Sequence, residues 1–351
     1  MSLPFSEIPT LFFEAVNRSG INYLSRQTNL SAWQQVLKNT HYIPTNYSCE
    51  LVDFYLAYQN GRALECVDIS FILECNGQAC AVWPLSLSLK DQVIIISSHG
   101  LSIMPPLFTQ ETPRKLQKKL VKICQKLLVE LCQTANISGW ESAESFMGAD
   151  DQGLSQWQIQ AMNLGVEMSL GYDMFIDLAN NIGQIKSGFR KSYKSLISSG
   201  LRMWDISVLT QGDSKVWAEF NALHVEVAGK ETRCASSWEV QHKAVAEGSA
   251  FLVILRDKTG VMVGAGFFSI TRDEGNYGVG VYKRSLFDKP LGHVVQYRAI
   301  EEMQSRGIRW YKVGIMAYPV TDYSSKEVSI SYFKQGFSTH VFPRYQLSYI
   351  A

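Results

Sequence analysis

Between residues 251 and 314 short apolar runs alternate with turn chemistry, and then the period changes. Phe251-Leu-Val-Ile-Leu255 is too short for a typical helix and reads as a strand. Asp257-Lys-Thr-Gly260 supplies a turn, 261–270 a second strand, 272–276 another turn, and Tyr277-Gly-Val-Gly-Val-Tyr282 a third strand. After a loop with Pro290 and Gly292, apolar residues recur at helical spacing over 293–306 until Gly307, and 308–313 closes the unit as a strand. A strand–helix–strand crossover of this kind makes the last two strands parallel.

Upstream, 69–75 and 79–89 around Asn76-Gly77 read as a hairpin, and Pro84 places its second arm at an edge or a bulge. A third strand, 93–97, precedes the clearest helix, 112–135, with Thr112 as cap and Pro113 at the first helical position. Leu116, Leu120, Ile123, Leu127 and Leu131 form its apolar stripe, and 137–140 reads as a strand. The first half thus repeats the order hairpin, strand, helix, strand. Residues 1–65 hold two short helical candidates, 11–16 and a better one that Ser31 would cap. The glycine- and aspartate-rich stretch 148–153 is the best linker, so the domains expected are 1–150 and 151–351. Beyond it the pattern gives a short helix over 157–164, a strand over 174–178 and one basic helix over 183–199, ended by Gly200. A strand over 201–209, a helix from Asp213 or Ser214 to 227 and a helix over 238–247 follow.

Composition changes this picture little. A chain of 351 residues is long for one domain, and its 46% hydrophobic and 19% charged content is ordinary for a globular protein. The formal net charge of +1 gives no global electrostatic partner, so any basic patch is local. Seven cysteines without metal-ligand spacing point to reduced core thiols and to no metal. The start of the chain lacks the pattern of a signal peptide, and no apolar run reaches membrane-spanning length, which leads us to expect a cytoplasmic protein.

The order of elements over 251–314 is similar to the acyl-transfer half of GNAT-type N-acyltransferases. Its wording resembles the Fem-type branch: Gly264-Ala-Gly-Phe-Phe268, residues 277–282, Pro290-Leu-Gly-His293 and Gly307-Ile-Arg-Trp-Tyr-Lys-Val-Gly314. Phe189-Arg-Lys-Ser-Tyr-Lys-Ser-Leu-Ile-Ser-Ser-Gly200 resembles the basic helix that opens the second half of Fem-like proteins. The resemblance covers residue 157 to the end well and the first 150 residues in outline. It implies an α/β (α+β) protein of two GNAT-like units, each a mixed, mostly antiparallel sheet flanked by helices. The transfer site falls in the second unit. No tightly bound cofactor is implied, and acyl-CoA is the expected co-substrate.

An amide-forming acyltransferase needs a held acyl group, a base for the amine and donors for the oxyanion. In the resemblance, the loop after the central strand binds the donor at a helix N-terminus. Here it is Lys283-Arg-Ser-Leu-Phe-Asp-Lys-Pro-Leu-Gly-His293, which lacks the Q/R-x-x-G-x-G/A pattern of CoA-binding members. Lys283, Arg284, Lys289, Gly292 and Gln296 are the donor-binding candidates. His293 is a candidate base that the positive helix end would keep neutral, and Tyr282 is a candidate acid for the leaving group. His224 and Glu226 are candidates to take the amine proton, with Lys230 and Arg233 holding an anionic group. Each set also reads as paired surface charge or core packing. Lys312, between apolar neighbours, needs a counter-charge or an anionic ligand, and Lys334 and His340 are candidates to line the same cleft. Arg114, Lys115, Lys118, Lys119, Lys122 and Lys126 make a basic face without an acid among them, with a smaller group at Arg190, Lys191 and Lys194. A tRNA acyl carrier or an anionic membrane surface would be attracted to such faces, as would plain solvent; DNA is not expected.

The reading is an N-acyltransferase that moves an acyl group from acyl-CoA or another carrier to an amine of a small molecule or a glycan or cell-envelope precursor. An aminoacyl-tRNA-dependent Fem-type transferase and a non-catalytic binding protein on the same fold are the alternatives. No P-loop, G-x-S-x-G elbow, H-E-x-x-H or dinucleotide fingerprint is present.

Overall fold

The computed structural model describes residues 3–62, 64–148, 153–318 and 323–351. The stretch 149–152, where the linker is expected, lies outside them. The chain divides into a first unit of Met1–Leu170 with Arg344–Ala351 and a second unit of Gly171–Pro343. The division thus falls beyond the expected 150, because Trp157 is buried in the first core. Its ring meets Trp83 edge-on at 6.1 Å and its Nε1 donates to Ser142 Oγ at 2.8 Å.

The first unit runs α1 (Ile8–Arg18), β1 (Asn22–Ser25), α2 (Leu30–Lys38), α3 (Cys49–Asn60), β2 (Glu65–Asp68), β3 (Phe71–Cys75), β4 (Gln78–Trp83), β5 (Ser86–Lys90), β6 (Val93–Ser97) and β7 (Leu107–Phe108). Then come α4 (Arg114–Ala135), β8 (Gly139–Glu144), α5 (Gln156–Met162) and the start of β9 (Glu167–Asp177). The hairpin β3–β4 forms as its Asn-Gly turn requires, with positive φ at Asn76 and Gly77. Its second arm, however, stops at Trp83. A proline has no N–H for the ladder, and beyond Pro84 the chain enters another sheet, ordered β2-β5-β6. Three further expectations shift. Asn29, not Ser31, stands before α2. Pro113 is the residue before α4, while Thr112 is turned inward to donate to the Cys80 carbonyl. A third helix, α3, is added, capped by Ser48.

A buried ionic knot holds this unit. Arg26, 2% exposed, bonds Asp68 at 3.0 Å and Asp53 at 2.6 Å, and His99 Nε2 meets the other Asp68 oxygen at 3.0 Å. Burial alone would raise the Asp68 carboxyl, but the hydrogen bond and charge attraction from His99, with the Arg26 charge, hold it far below the usual carboxylate range.

The second unit continues with α6 (Ile182–Gly188), α7 (Lys191–Met203), β10 (Asp205–Leu209), α8 (Ser214–Ala228), α9 (Ala235–Ala246), β11 (Ala250–Arg256), β12 (Met262–Ile270), β13 (Glu274–Tyr282), α10 (Leu291–Ser305), β14 (Trp310–Ile315), α11 (Ser325–Gln335) and the start of β15 (His340–Ile350). The single basic helix expected over 183–199 is two helices, broken at Phe189 and Arg190, whose backbones are extended or nearly so. Gly200 does not end the second of them. It lies inside α7 where the helix packs on Pro290 and Val294. The sheet order β10-β11-β12-β13-β14-β9 is antiparallel except for β13 and β14. One face carries α7 and α10 over Phe251, Val253, Phe268 and Tyr311, the other α8 over Leu252, Ile254, Ala265 and Phe267. The period-two alternation of β11 and β12, buried on both faces, explains why they read as unbroken apolar runs.

Replacing Asp68 by Asn should cost about 3 kcal/mol, since it leaves the buried Arg26 short of a partner. With its folded pKa depressed, Asp68 stabilises at every pH above its unfolded value of about 3.9 and loses that contribution as the solution is acidified towards the folded value. Urea unfolding at neutral and acid pH checks both: the variant should be weaker at neutral pH and show a flatter acid limb than the wild type.

Candidate functional site

The second sheet opens at its middle. Strands β13 and β14 pair in parallel only at Glu274–Trp310, Gly275–Tyr311 and Asn276–Lys312, and then part, although β13 runs on to Tyr282 and β14 to Ile315. The Lys283 N–H bonds back to Val263 O, so by alternation the amides of Gly280 and Tyr282 turn to the side that β14 has left. Gly278 and Gly280 are exposed there.

A bulge arranges the side chains of this opening. Phe267 pairs with Val279 but Phe268 with Tyr277, so Gly278 is an extra residue in β13. In an unbroken strand positions five apart face opposite sides. The bulge restores Tyr277 and Tyr282 to one side, and their hydroxyls meet at 3.0 Å. Gly280 makes room for them: a Cβ there would stand 1.7 Å from the Tyr277 hydroxyl and 3.2 Å from the Tyr282 ring. Burial pushes the Tyr277 phenol up to about 12, with Tyr282 pulling it back, and burial raises Tyr282 well above the usual range.

Two further elements complete the cleft. Gln296 of α10 is fully buried; its Oε1 accepts from the Tyr311 hydroxyl, and its Nε2 has no hydrogen-bond partner. Lys334 of α11 extends its ammonium over the Tyr277 ring, 5.3 Å from the centroid. It rests against Gly314, where an added Cβ would lie 2.7 Å from Nζ and where φ is +148°. No carboxylate pairs with Lys334 among the described residues, and burial lowers its pKa to about 8. Arg190 anchors α11 in place: its guanidinium stacks on Tyr332 at 3.8 Å and donates to the Tyr332 carbonyl and the Tyr193 hydroxyl.

No family model and no curated protein matches the chain. Solved structures do. FemX superposes with a TM-score of 0.67 at 11% identity, over 94% of this chain and 97% of that one. The C-terminal domain of a putative lysylphosphatidylglycerol synthetase from Agrobacterium fabrum gives 0.58 at 12%, over 92% of each. A tandem GNAT protein from the clavulanic acid biosynthesis pathway gives 0.51 at 13%, over 93% and 98%. The chain has the Fem-like, tandem GNAT-type acyltransferase fold. At these identities the likeness shows the fold alone.

Within that Fem-like fold, three of the residues singled out from sequence meet in the cleft: Tyr282, Gln296 and Lys334. Tyr277, Tyr311 and the two spacer glycines join them unforeseen. Others lie elsewhere. Lys312 faces the other side of β14 and is tied to buried Asp173 at 2.8 Å, which supplies the counter-charge its apolar neighbours demand. His224 stands on α8, on the opposite face of the sheet, edge-on to Trp238; burial and then Arg233 lower its pKa. Glu226 and Lys230 are exposed at the end of that helix, and Arg233 donates to Gln241. His340 stacks with Phe342 and meets Trp310 edge-on. His293 is boxed by Tyr193, Phe333 and Phe337, and burial, with Arg190 beside it, lowers its pKa to about 4, so it is neutral as expected but wrapped in rings.

The start of α10, where the resemblance would put a donor's diphosphate, is crowded by side chains. Pro290 and Leu291 are buried, the Leu291 N–H is spent on the Lys289 carbonyl, and Phe333 and Tyr282 lie 3.1 and 3.5 Å from where a Gly292 Cβ would be. Of the cations before it, Lys289 pairs with Asp288 at 2.8 Å, Arg284 is exposed and Lys283 is half-buried. Rings thus crowd the Gly292 side of this helix end.

The spacing rule at Gly280 is testable on stability. Gly280→Ala should cost about 1–3 kcal/mol through overpacking against the Tyr277 hydroxyl. Adding Tyr277→Phe should recover much of it, because the closest atom is removed. Chemical unfolding of the two variants and the wild type decides; a costless Gly280→Ala would mean the tyrosine pair is not held as described.

Proposed function

We propose that the second unit is an amide-forming acyltransferase whose reaction takes place where β13 and β14 part. The observation that carries this reading is the Lys334 ammonium, without a carboxylate partner among the described residues, over the ring of Tyr277, whose hydroxyl pairs with that of Tyr282 in that opening. An amine attacks an acyl carbonyl there, and negative charge develops on the carbonyl oxygen. Lys334, with a pKa of about 8, is mostly protonated at neutral pH and stabilises that charge. The amides of Gly280 and Tyr282 turn to that opening as further donors, and the buried Gln296 Nε2, which has no hydrogen-bond partner, is another candidate donor. Tyr277 and Tyr282 hold their protons far into alkaline solution, so they act as donors and as a proton path from the attacking nitrogen to the leaving oxygen, not as bases.

The ring-crowded start of α10 favours a donor without a diphosphate at that place: an acyl or aminoacyl ester on a carrier other than CoA. The acceptor is the amine of a small molecule or glycan precursor, entering from the exposed side of Gly278 and Gly280.

Lys334→Gln should lower kcat by roughly a hundred- to a thousandfold, the usual loss for one oxyanion donor, with little change in KM. Wild-type kcat should fall as pH rises through about 8, when the ammonium of Lys334 loses its proton. Lys334→Arg, which keeps its charge, should lose that alkaline limb. Transfer from aminoacyl and acyl esters to a panel of amines, followed by mass spectrometry, supplies the readout. Full activity in Lys334→Gln would move the reaction out of this cleft. A rise in Tm with acetyl-CoA would overturn the ester donor.

A further inference from the structure

The first unit carries a charged surface that the acyl-transfer reading does not use. Arg114, Lys115, Lys118, Lys119, Lys122 and Lys126 of α4 are all exposed, and none of the six forms an ion pair among the described residues. At 100° per residue they fall within one face about 140° wide, opposite the buried Leu120, Cys124, Leu127, Leu128 and Leu131. Four of them, at 114, 118, 122 and 126, form a single row at four-residue steps, about 6 Å apart along the axis.

Nothing within the helix compensates this charge. Its first turn contains no acid, and the residue before it, Pro113, offers no capping side chain. Arg114, Lys115 and Lys118 therefore sit at the positive end of the helix dipole, where cations are unfavourable. Glu130, the first acid along α4, is engaged by Arg18 at 2.7 Å. In a chain of net charge +1, this is a strong local asymmetry.

We infer that this face of α4 is an electrostatic attachment surface for an anionic lipid bilayer. Five of its six cations are lysines, point charges suited to a diffuse anionic surface, and not the forked guanidinium favoured for bidentate phosphate recognition. The helix contains no aromatic residue on which a nucleic-acid base could stack. Clusters of four to eight basic residues on an amphipathic helix are what anionic headgroups attract. Attachment is peripheral, since no described helix is long and apolar enough to cross a membrane.

Co-sedimentation of the full chain with phosphatidylglycerol-rich vesicles, at low and raised salt, tests the assignment, with phosphatidylcholine vesicles as the neutral reference. The wild type should bind the anionic vesicles alone and be released by salt. Replacing Lys118, Lys122 and Lys126 together by Gln should weaken binding roughly a hundredfold, at about fivefold per lysine. The same three positions changed to Arg should retain binding, which separates lost charge from damage to the helix. Equal binding to both vesicle types, or undiminished binding by the Gln variant, overturns the proposal. So does retention on an RNA duplex without vesicle binding, which would give the face to a nucleic acid instead.

Discussion

The second unit depends on the parting of two parallel strands. Parallel neighbours in the middle of a sheet normally satisfy each other's backbone groups along their whole length. Here β13 and β14 do so for three residue pairs and then separate, which leaves amides of β13 without a strand opposite them. Such an opening survives only if other groups fill or face it. Tyr277, Tyr282 and Tyr311 supply apolar rings with polar tips, which suits a place that is buried at its base and open at its mouth. Gln296 reaches it from α10 and Lys334 from α11, so the helices that cover the sheet also complete the cleft.

The order of elements in 251–314 was legible because each strand is bounded by turn residues and the helix by Pro290 and Gly307. The parallel pairing followed from the crossover alone. What could not be read was local and geometric. Gly278 looks like any glycine in a strand, yet as a bulge it alone decides that Tyr277 and Tyr282 share a side. Without it, alternation assigns the two tyrosines to opposite faces, and the pair is missed. Pro84 was recognised as a disturbance, but a proline does not say whether the strand bends or leaves its sheet.

The same limit applied to charge. Lys312 stands out in the sequence for its apolar neighbours, while Lys334 is only one candidate to line the cleft. Their difference is a residue far along the chain: Asp173 stands opposite Lys312, and among the described residues no carboxylate stands opposite Lys334. His224 and His293 were grouped as rival bases for one site, but the sheet separates the helices that carry them. Sequence spacing orders residues along an element; which face of the sheet an element covers is a property of the fold.

The protons held in the cleft at neutral pH determine the chemistry it can support. Its phenols are driven upward and its one histidine neighbour downward, both by loss of water, so neither a phenolate nor an imidazolium is present. Lys334 is the exception, because its lowered value still leaves the ammonium in the majority below pH of about 8. A pocket whose phenols stay protonated, whose neighbouring imidazole is shut behind rings and whose lysine is positively charged is good at accommodating a new negative charge. That favours a step in which an oxyanion forms from neutral partners, as when an amine adds to an ester. It is ill suited to a step that begins with abstraction of a proton from carbon, which would require a carboxylate or phenolate that these residues do not supply.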